Sequence, residues 1–259
     1  MYSFKGADAM KNAIRTCLKN ILFVAVLAVA VSGMSAMGGS GGGMLTITAV
    51  YVSGANGLNP SDPGWSSAAE VSIPINRFID FVEGGGGMMD CNMMGDMLNR
   101  TLRVKALHNG STMYIRYTLS DATQDASVGD TDLFGDAIAL EIPYARTTTP
   151  PICMGSQADP VNIIMWRGDL AAPQNIVAGG IGTVQVSPDS ASQNLTRYQA
   201  NSKGVWTVIV ARPMAAASSN QVAFTRGLSY RIAFANWNGS NTERNGRKGF
   251  SSWHTLAVQ

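Results

Sequence analysis

The sequence predicts an all-β fold, a β-sandwich of about ten short strands with a few short helices. Three observations carry that expectation. Short segments with alternating or β-branched apolar residues recur along the chain, Gly- and Asn-rich turn signals separate them, and long amphipathic helical patterns are missing. The length of 259 residues is ample for one large β domain with a full core.

In chain order, Met44 to Val52 is the first strand, β-branched and apolar with Thr46 and Thr48 in alternate positions. Asn59 to Ala69, with Pro63 near a possible start, and Asn76 to Val82 are the candidates for short helices. Leu102 to Leu107 and Met113 to Leu119 read as a hairpin, with Asn109 and Gly110 supplying the positive φ of a tight turn. Further strands are expected at Ala137–Ile142, Val161–Trp166, Thr183–Val186, Val205–Val210, Tyr230–Ala235 and Trp253–Val258.

The first 37 residues have a different character. Lys11, Arg15 and Lys19 precede an apolar run from Ile21 to Val31, and small residues follow. That order is the pattern of an export signal, with a retained membrane anchor as the alternative. Residues 38–43 are a Gly-rich linker and 44–259 the folded domain, which places the protein in the periplasm or outside the cell. Charged residues make up 14% of the chain against about 25% in an ordinary soluble domain, which fits an exported protein or one covered by partners. A net charge of +2 without a basic stripe argues against nucleic acid as a partner.

Beyond the signal, Cys91 and Cys153 remain, and in an oxidising compartment they could form one disulfide. No Cys-x-x-Cys pair exists, so iron–sulfur clusters, zinc ribbons and redox dithiols of the usual spacing are excluded. Without Cys-x-x-Cys-His, any haem is not attached covalently in the c-type manner. Nucleophile elbows, His-Glu-x-x-His and phosphate loops are likewise missing, which argues against a catalytic chain.

One constellation does carry a resemblance. It consists of the run Ala233-Phe-Ala-Asn-Trp237 continuing through an Asn/Gly-rich loop to Lys248 and Trp253, together with Pro151-Ile-Cys-Met154-Gly and Pro160-Val-Asn-Ile-Ile-Met-Trp166. Leu58 to Trp65, Val71 to Pro74, Val104 to Gly110, Asp136 to Pro143 and Trp206 to Pro213 stand in the matching order. Together they resemble the haem b subunit of the ethylbenzene dehydrogenase group, the gamma chain of periplasmic molybdenum oxidoreductases of the dimethyl sulfoxide reductase superfamily. The resemblance implies Met154 and Lys248 as axial ligands of a non-covalent haem b. It implies as partners a molybdopterin-containing catalytic subunit, an iron–sulfur subunit and a soluble or membrane cytochrome. Arg247 is the candidate for a haem propionate. Cys153 next to Met154, Met165 in the following strand and an insertion-like stretch from Gly84 to Met97 depart from the family pattern.

The chemistry of those residues sets a condition. A thioether favours reduced iron, and an amine binds metal only after losing its proton, which costs a lysine roughly 4–5 kcal/mol at pH 7. Lys105 and Lys203, the other lysines past the signal, read as solvated. His108 and His254 are alternative ligands with ordinary structural readings as a turn residue and a sheet-face residue. Met88 to Met97 around Cys91 could hold copper(I) or make a contact surface, and Asp121, Asp125, Asp130, Asp132 and Asp136 could serve calcium or simply cap turns. A haem-free sandwich used for binding or assembly is the competing function.

Overall fold

In the computed structural model, residues 43–79, 97–128, 133–187 and 195–259 are described, and all lie in one compact unit that runs from Gly42 to Gln259. The expected N-terminal export segment, Cys17, Cys91, Asp130, Asp132 and most of the Gly84–Met97 stretch fall outside them. Among the described residues no helix is long and apolar enough to cross a membrane.

Among the described residues thirteen strands form the domain: β1 (Thr46–Tyr51), β2 (Val71–Ile79), β3 (Met97–His108), β4 (Thr112–Ser120), β5 (Ala137–Pro143), β6 (Val161–Arg167), β7 (Gln174–Ala178), β8 (Gln185–Val186), β9 (Thr196–Asn201), β10 (Val205–Pro213), β11 (Ser229–Trp237), β12 (Lys248–Phe250) and β13 (His254–Val258). Hydrogen bonding runs β8-β7-β6-β5-β11-β12-β2-β3-β4-β10-β9, while β13 and β1 form a second link from β11 to β3. The sheet folds over at β12, β13, β1 and β2, so its two halves face each other as a sandwich.

Alternation decides what each strand contributes to the interior. Ile138, Leu140 and Ile142 of β5, Ile164 and Trp166 of β6 and Ile232 and Phe234 of β11 share one core with Val104 of β3, Ile115, Tyr117 and Leu119 of β4 and Trp206, Val208 and Val210 of β10. Aromatic edge-to-face pairs cross between the layers, Trp166 on Trp206 at 5.1 Å and Tyr117 on Phe234 at 6.2 Å.

At one end of the sandwich Asp121, Asp125 and Asp136 accept hydrogen bonds from protein groups. Asp136 accepts from Trp206 Nε1 at 2.9 Å, from the Asp125 amide at 2.9 Å and from the Gly239 amide at 3.0 Å. Asp125 accepts from the Ser240 amide and hydroxyl, and Asp121 from Thr123 and Asn238. Position 239 requires glycine, because a Cβ there would lie 1.8 Å from the Phe134 carbonyl oxygen. Among the described residues no group of three or more metal-binding side chains is placed around a common point.

Several sequence expectations need correction. Asn76 to Ile79, expected to be helical, continues β2 as a strand, because it pairs with β3 and β12. Between Asn59 and Ala69 only one 3-10 turn forms, at Pro63–Ser66, capped by the Asp62 carboxylate. The hairpin of β3 and β4 turns at Gly110 and Ser111, with φ positive at Gly110 (98°). Asn109 instead closes the turn, its side chain accepting from the Ser111 and Thr112 amides. Both histidines are buried. His108 Nδ1 accepts from the Gly110 amide and Nε2 lies 2.8 Å from the Gln259 carbonyl, while His254 points into the interior beside Phe234.

Candidate functional site

The layer β7-β6-β5-β11 is apolar on both faces. An ordinary sandwich is apolar inside and polar outside, yet Ala137 and Ala139 of β5, Val161 and Ile163 of β6, Ile176 and Ala178 of β7 and Trp237 of β11 form a second buried cluster on the outer face. Met154, Met165 and Ala235 pack against it. Strand register lays this face out in rows, Trp237 beside Ala137 and Arg167, then Ala235 beside Ala139 and Met165, then Ala233 beside Glu141 and Ile163. The alanines keep its centre low and flat.

Met154 reaches this face from the loop between β5 and β6. Its φ is +70°, a left-handed conformation that costs an L-residue about 1–2 kcal/mol, and Gly155 follows at +72°. The loop is held in place by Gly155 N donating to Pro151 O and Gly180 N donating to Met154 O, both at 2.9 Å. Cys153 beside it is buried and disulfide-bonded, which removes it as a thiolate ligand.

Lys248 enters from the other side. It is the first residue of β12, paired to β11 and β2, and only 8% exposed. Its Nζ lies 5.4 Å from the centre of the Trp237 ring, and Trp237 Nε1 donates to Asn245 O to fix that ring. Among the described residues the Lys248 ammonium makes no hydrogen bond, and its electrostatic partner is Glu141 on the same face. Burial pushes the Lys248 pKa down, opposed by the Glu141 charge, and burial pushes the Glu141 pKa up, opposed by Lys248. One Glu141 carboxylate oxygen is buried without a hydrogen-bond partner. Two strands, β11 and β5, separate β12 from β6, about 14 Å at the usual strand spacing.

β12 reaches this position because residue 249 is glycine. A Cβ there would come within 2.7 Å of Ile75 Cγ2 and 2.9 Å of Leu98 Cδ1. Gly249→Ala is therefore expected to push β12 outward and to destabilise the chain by about 1–3 kcal/mol, read from its denaturant midpoint. An unchanged midpoint would show that the strand is not tightly seated.

Met154 and Lys248 thus border one apolar cluster, which lies on the outer face of a single layer rather than between the two layers. Arg247 is the residue directly before Lys248. It donates to Thr242 Oγ1 at 2.9 Å, in the loop before β12. Lys203 is exposed in a turn, as its polar setting implied, whereas Lys105 is half-buried and donates to Trp65 O at 3.2 Å. Glu141 was missed by sequence reasoning, although alternation in Ala-Ile-Ala-Leu-Glu-Ile sets it on the face of Ala137 and Ala139.

The donor set fits a haem iron. A thioether and an amine of depressed basicity stand at the borders of a flat apolar surface, and the amine has no hydrogen bond to give up among the described residues.

Comparison with known proteins agrees on the family. A protein provisionally named the heme subunit of a respiratory nitrate reductase in Haloferax mediterranei is 32% identical over 195 residues, 75% of this chain and 66% of that one. The chlorate reductase gamma subunit of Ideonella dechloratans is 26% identical over 78% of this chain and 80% of its own length. The dimethylsulfide dehydrogenase gamma subunit of Rhodovulum sulfidophilum is 28% identical over 57% of this chain and 56% of its own. The chain therefore spans just under two thirds of the first relative and a little over half of the third. The ethylbenzene dehydrogenase family model matches residues 62–193 and 179–249, taking in both Met154 and Lys248, and the chain belongs to that family.

Proposed function

We propose that this chain is the haem-binding electron-transfer subunit of an exported molybdenum oxidoreductase complex, and not its catalytic chain. The observation that carries the reading is the pairing on one apolar surface of Met154, at a strained backbone, with Lys248, buried and without a hydrogen bond. The relatives' names as heme or gamma subunits of reductases and a dehydrogenase support it. When bound, the haem supplies reversible one-electron chemistry.

The residues of the chain would do the rest. Met154 offers a soft neutral donor that favours the reduced state and raises the potential. Lys248 offers its amine, made easier to deprotonate by the apolar surroundings that lower its pKa. The alanine rows of β5 and β11 exclude water and leave room for a planar ring. If Met154 and Lys248 both hold the haem iron, no site would remain there for substrate, and chemistry would fall to a molybdopterin-containing partner. An iron–sulfur subunit and an external cytochrome would stand on either side of the electron path.

The test is the absorption spectrum of the purified protein. A low-spin haem spectrum is expected, and acidified organic solvent should leave colourless protein, since no Cys-x-x-Cys-His tethers the cofactor. Haem that stays with the denatured chain would overturn non-covalent binding, and a protein that never takes up haem would overturn the function.

A further inference from the structure

The outer-face cluster does not end at Trp237. Ala137, Met165 and Trp237 also form part of the wall of a cleft of about 210 Å³, whose other lining includes Phe134, Arg167 and Arg244. The cleft is therefore continuous with the surface that Met154 and Lys248 border, and it adds what that surface lacks, a polar rim with cations.

The charges of the rim are unequally committed. Glu243 also lines the cleft but is buried and spent on Arg100, which donates to it through Nη1 at 2.8 Å and Nη2 at 2.5 Å. Arg167 is tied to Asp169 through Nε at 3.0 Å and Nη2 at 2.7 Å. Arg244 is exposed, its guanidinium resting 4.5 Å from the centre of the Phe134 ring. Among the described residues its side chain makes no hydrogen bond or ion pair, so its fork of donors remains available to an anion. Stacking on Phe134 holds the guanidinium beside the apolar wall without using those donors.

Resting on the functional reading above, we propose that this cleft seats the carboxylate edge of the haem, with Arg244 as the principal propionate-binding residue, Arg167 as its weaker neighbour, and Arg247 not involved. The macrocycle needs the apolar rows. Its two carboxylates need water and a cation, and the cleft joins the two environments through three shared residues. Charge-assisted bonds from a guanidinium to a carboxylate are the strongest hydrogen bonds a surface arginine makes, and such a bond is also directional.

The experiment compares haem b with its dimethyl ester, in which both carboxylates are capped, on the full chain after haem extraction. Affinities are read by absorption titration. The wild type is expected to prefer haem by about tenfold or more, the size of one charge-assisted bond. Arg244→Gln should lose most of that preference while binding the ester as the wild type does and keeping the low-spin spectrum. Arg167→Gln should lose less, and Arg247→Gln should keep the full preference. A wild type that binds both compounds equally, an Arg244→Gln chain that still discriminates, or loss of discrimination in Arg247→Gln would each overturn this assignment while leaving haem binding intact. Failure of the wild type to bind either compound would overturn the functional reading itself, and this inference with it.

Discussion

Lys248→Ala is expected to release the haem, weakening retention by at least about a hundredfold, since even partners behind the ligands of a metal site are worth 10–100-fold. The substitution removes the amine from the edge of the outer-face cluster and leaves Glu141 without its electrostatic partner. Lys203→Ala, in an exposed turn, and Lys105→Ala, which loses one bond to Trp65 O, should keep their haem. Added imidazole should restore part of the low-spin spectrum in Lys248→Ala, because the gap left by the side chain gives access to the vacated coordination position. Thermal unfolding of the extracted chain distinguishes ligand loss from misfolding. A full-strength, unshifted spectrum in Lys248→Ala would remove Lys248 from the site. His254 would not then replace it on the same surface, since its ring faces the interior core on the other side of the sheet.

Asp136→Ala should be the most damaging change away from the site, lowering stability by about 3 kcal/mol or more, because three donors lose their acceptor in a buried setting. The same carboxylate gives the protein a pH signature. Burial raises its pKa to about 6 from an ordinary 3.8, and its hydrogen-bond donors only partly counter the shift. The folded state therefore binds this proton more tightly than the unfolded chain between about pH 4 and 6. Stability from this group is greatest below about pH 4, falls as pH rises to about 6 and is level above. Urea midpoints across that range should show the fall in wild type, and Asp136→Asn should flatten it. A slope that persists in Asp136→Asn would belong to another group.

The sequence made the sandwich legible where strands are long and one-sided. β4, β5, β6, β10 and β11 alternate or run apolar over enough residues for the period to be read. It failed where tertiary contacts override local character. The C-terminal part of β2, around Asn76 and Arg77, carries no strand signal and is held by β3 and β12 on either side. β9, Thr-Arg-Tyr-Gln-Ala-Asn, is polar and exists as an edge partner of β10. β12 is three residues long, too short for any period. At the site, Met154 and Lys248 stood out only through resemblance, since a left-handed φ at methionine and the burial of a loop-flanking lysine have no local signature. Glu141 was there to be read, but a lone acid in an apolar strand looks like surface until both faces of the layer prove buried. Arg247 is prominent in the sequence through its adjacency to Lys248, whereas nothing local marks Arg244, which the loop before β12 brings to the cleft.

The parallel pairing of β1 with β13 bears on how the domain is made. Thr46 to Ala49 align with Thr255 to Val258, while β13 also pairs with β11 and β1 with β3. β1 is synthesised well before β13, so one flank of that strand stays bare until β13 has left the exit tunnel. The layers therefore cannot be sealed before β13 emerges, and contacts so distant in sequence make closure slow. Until then the chain exposes an unpaired edge that other polypeptides could add to. An escort that shields β1, or transport of the chain before it closes, would protect it through that interval, and a truncation removing β13 should yield insoluble protein even though every residue around Met154 and Lys248 is still present.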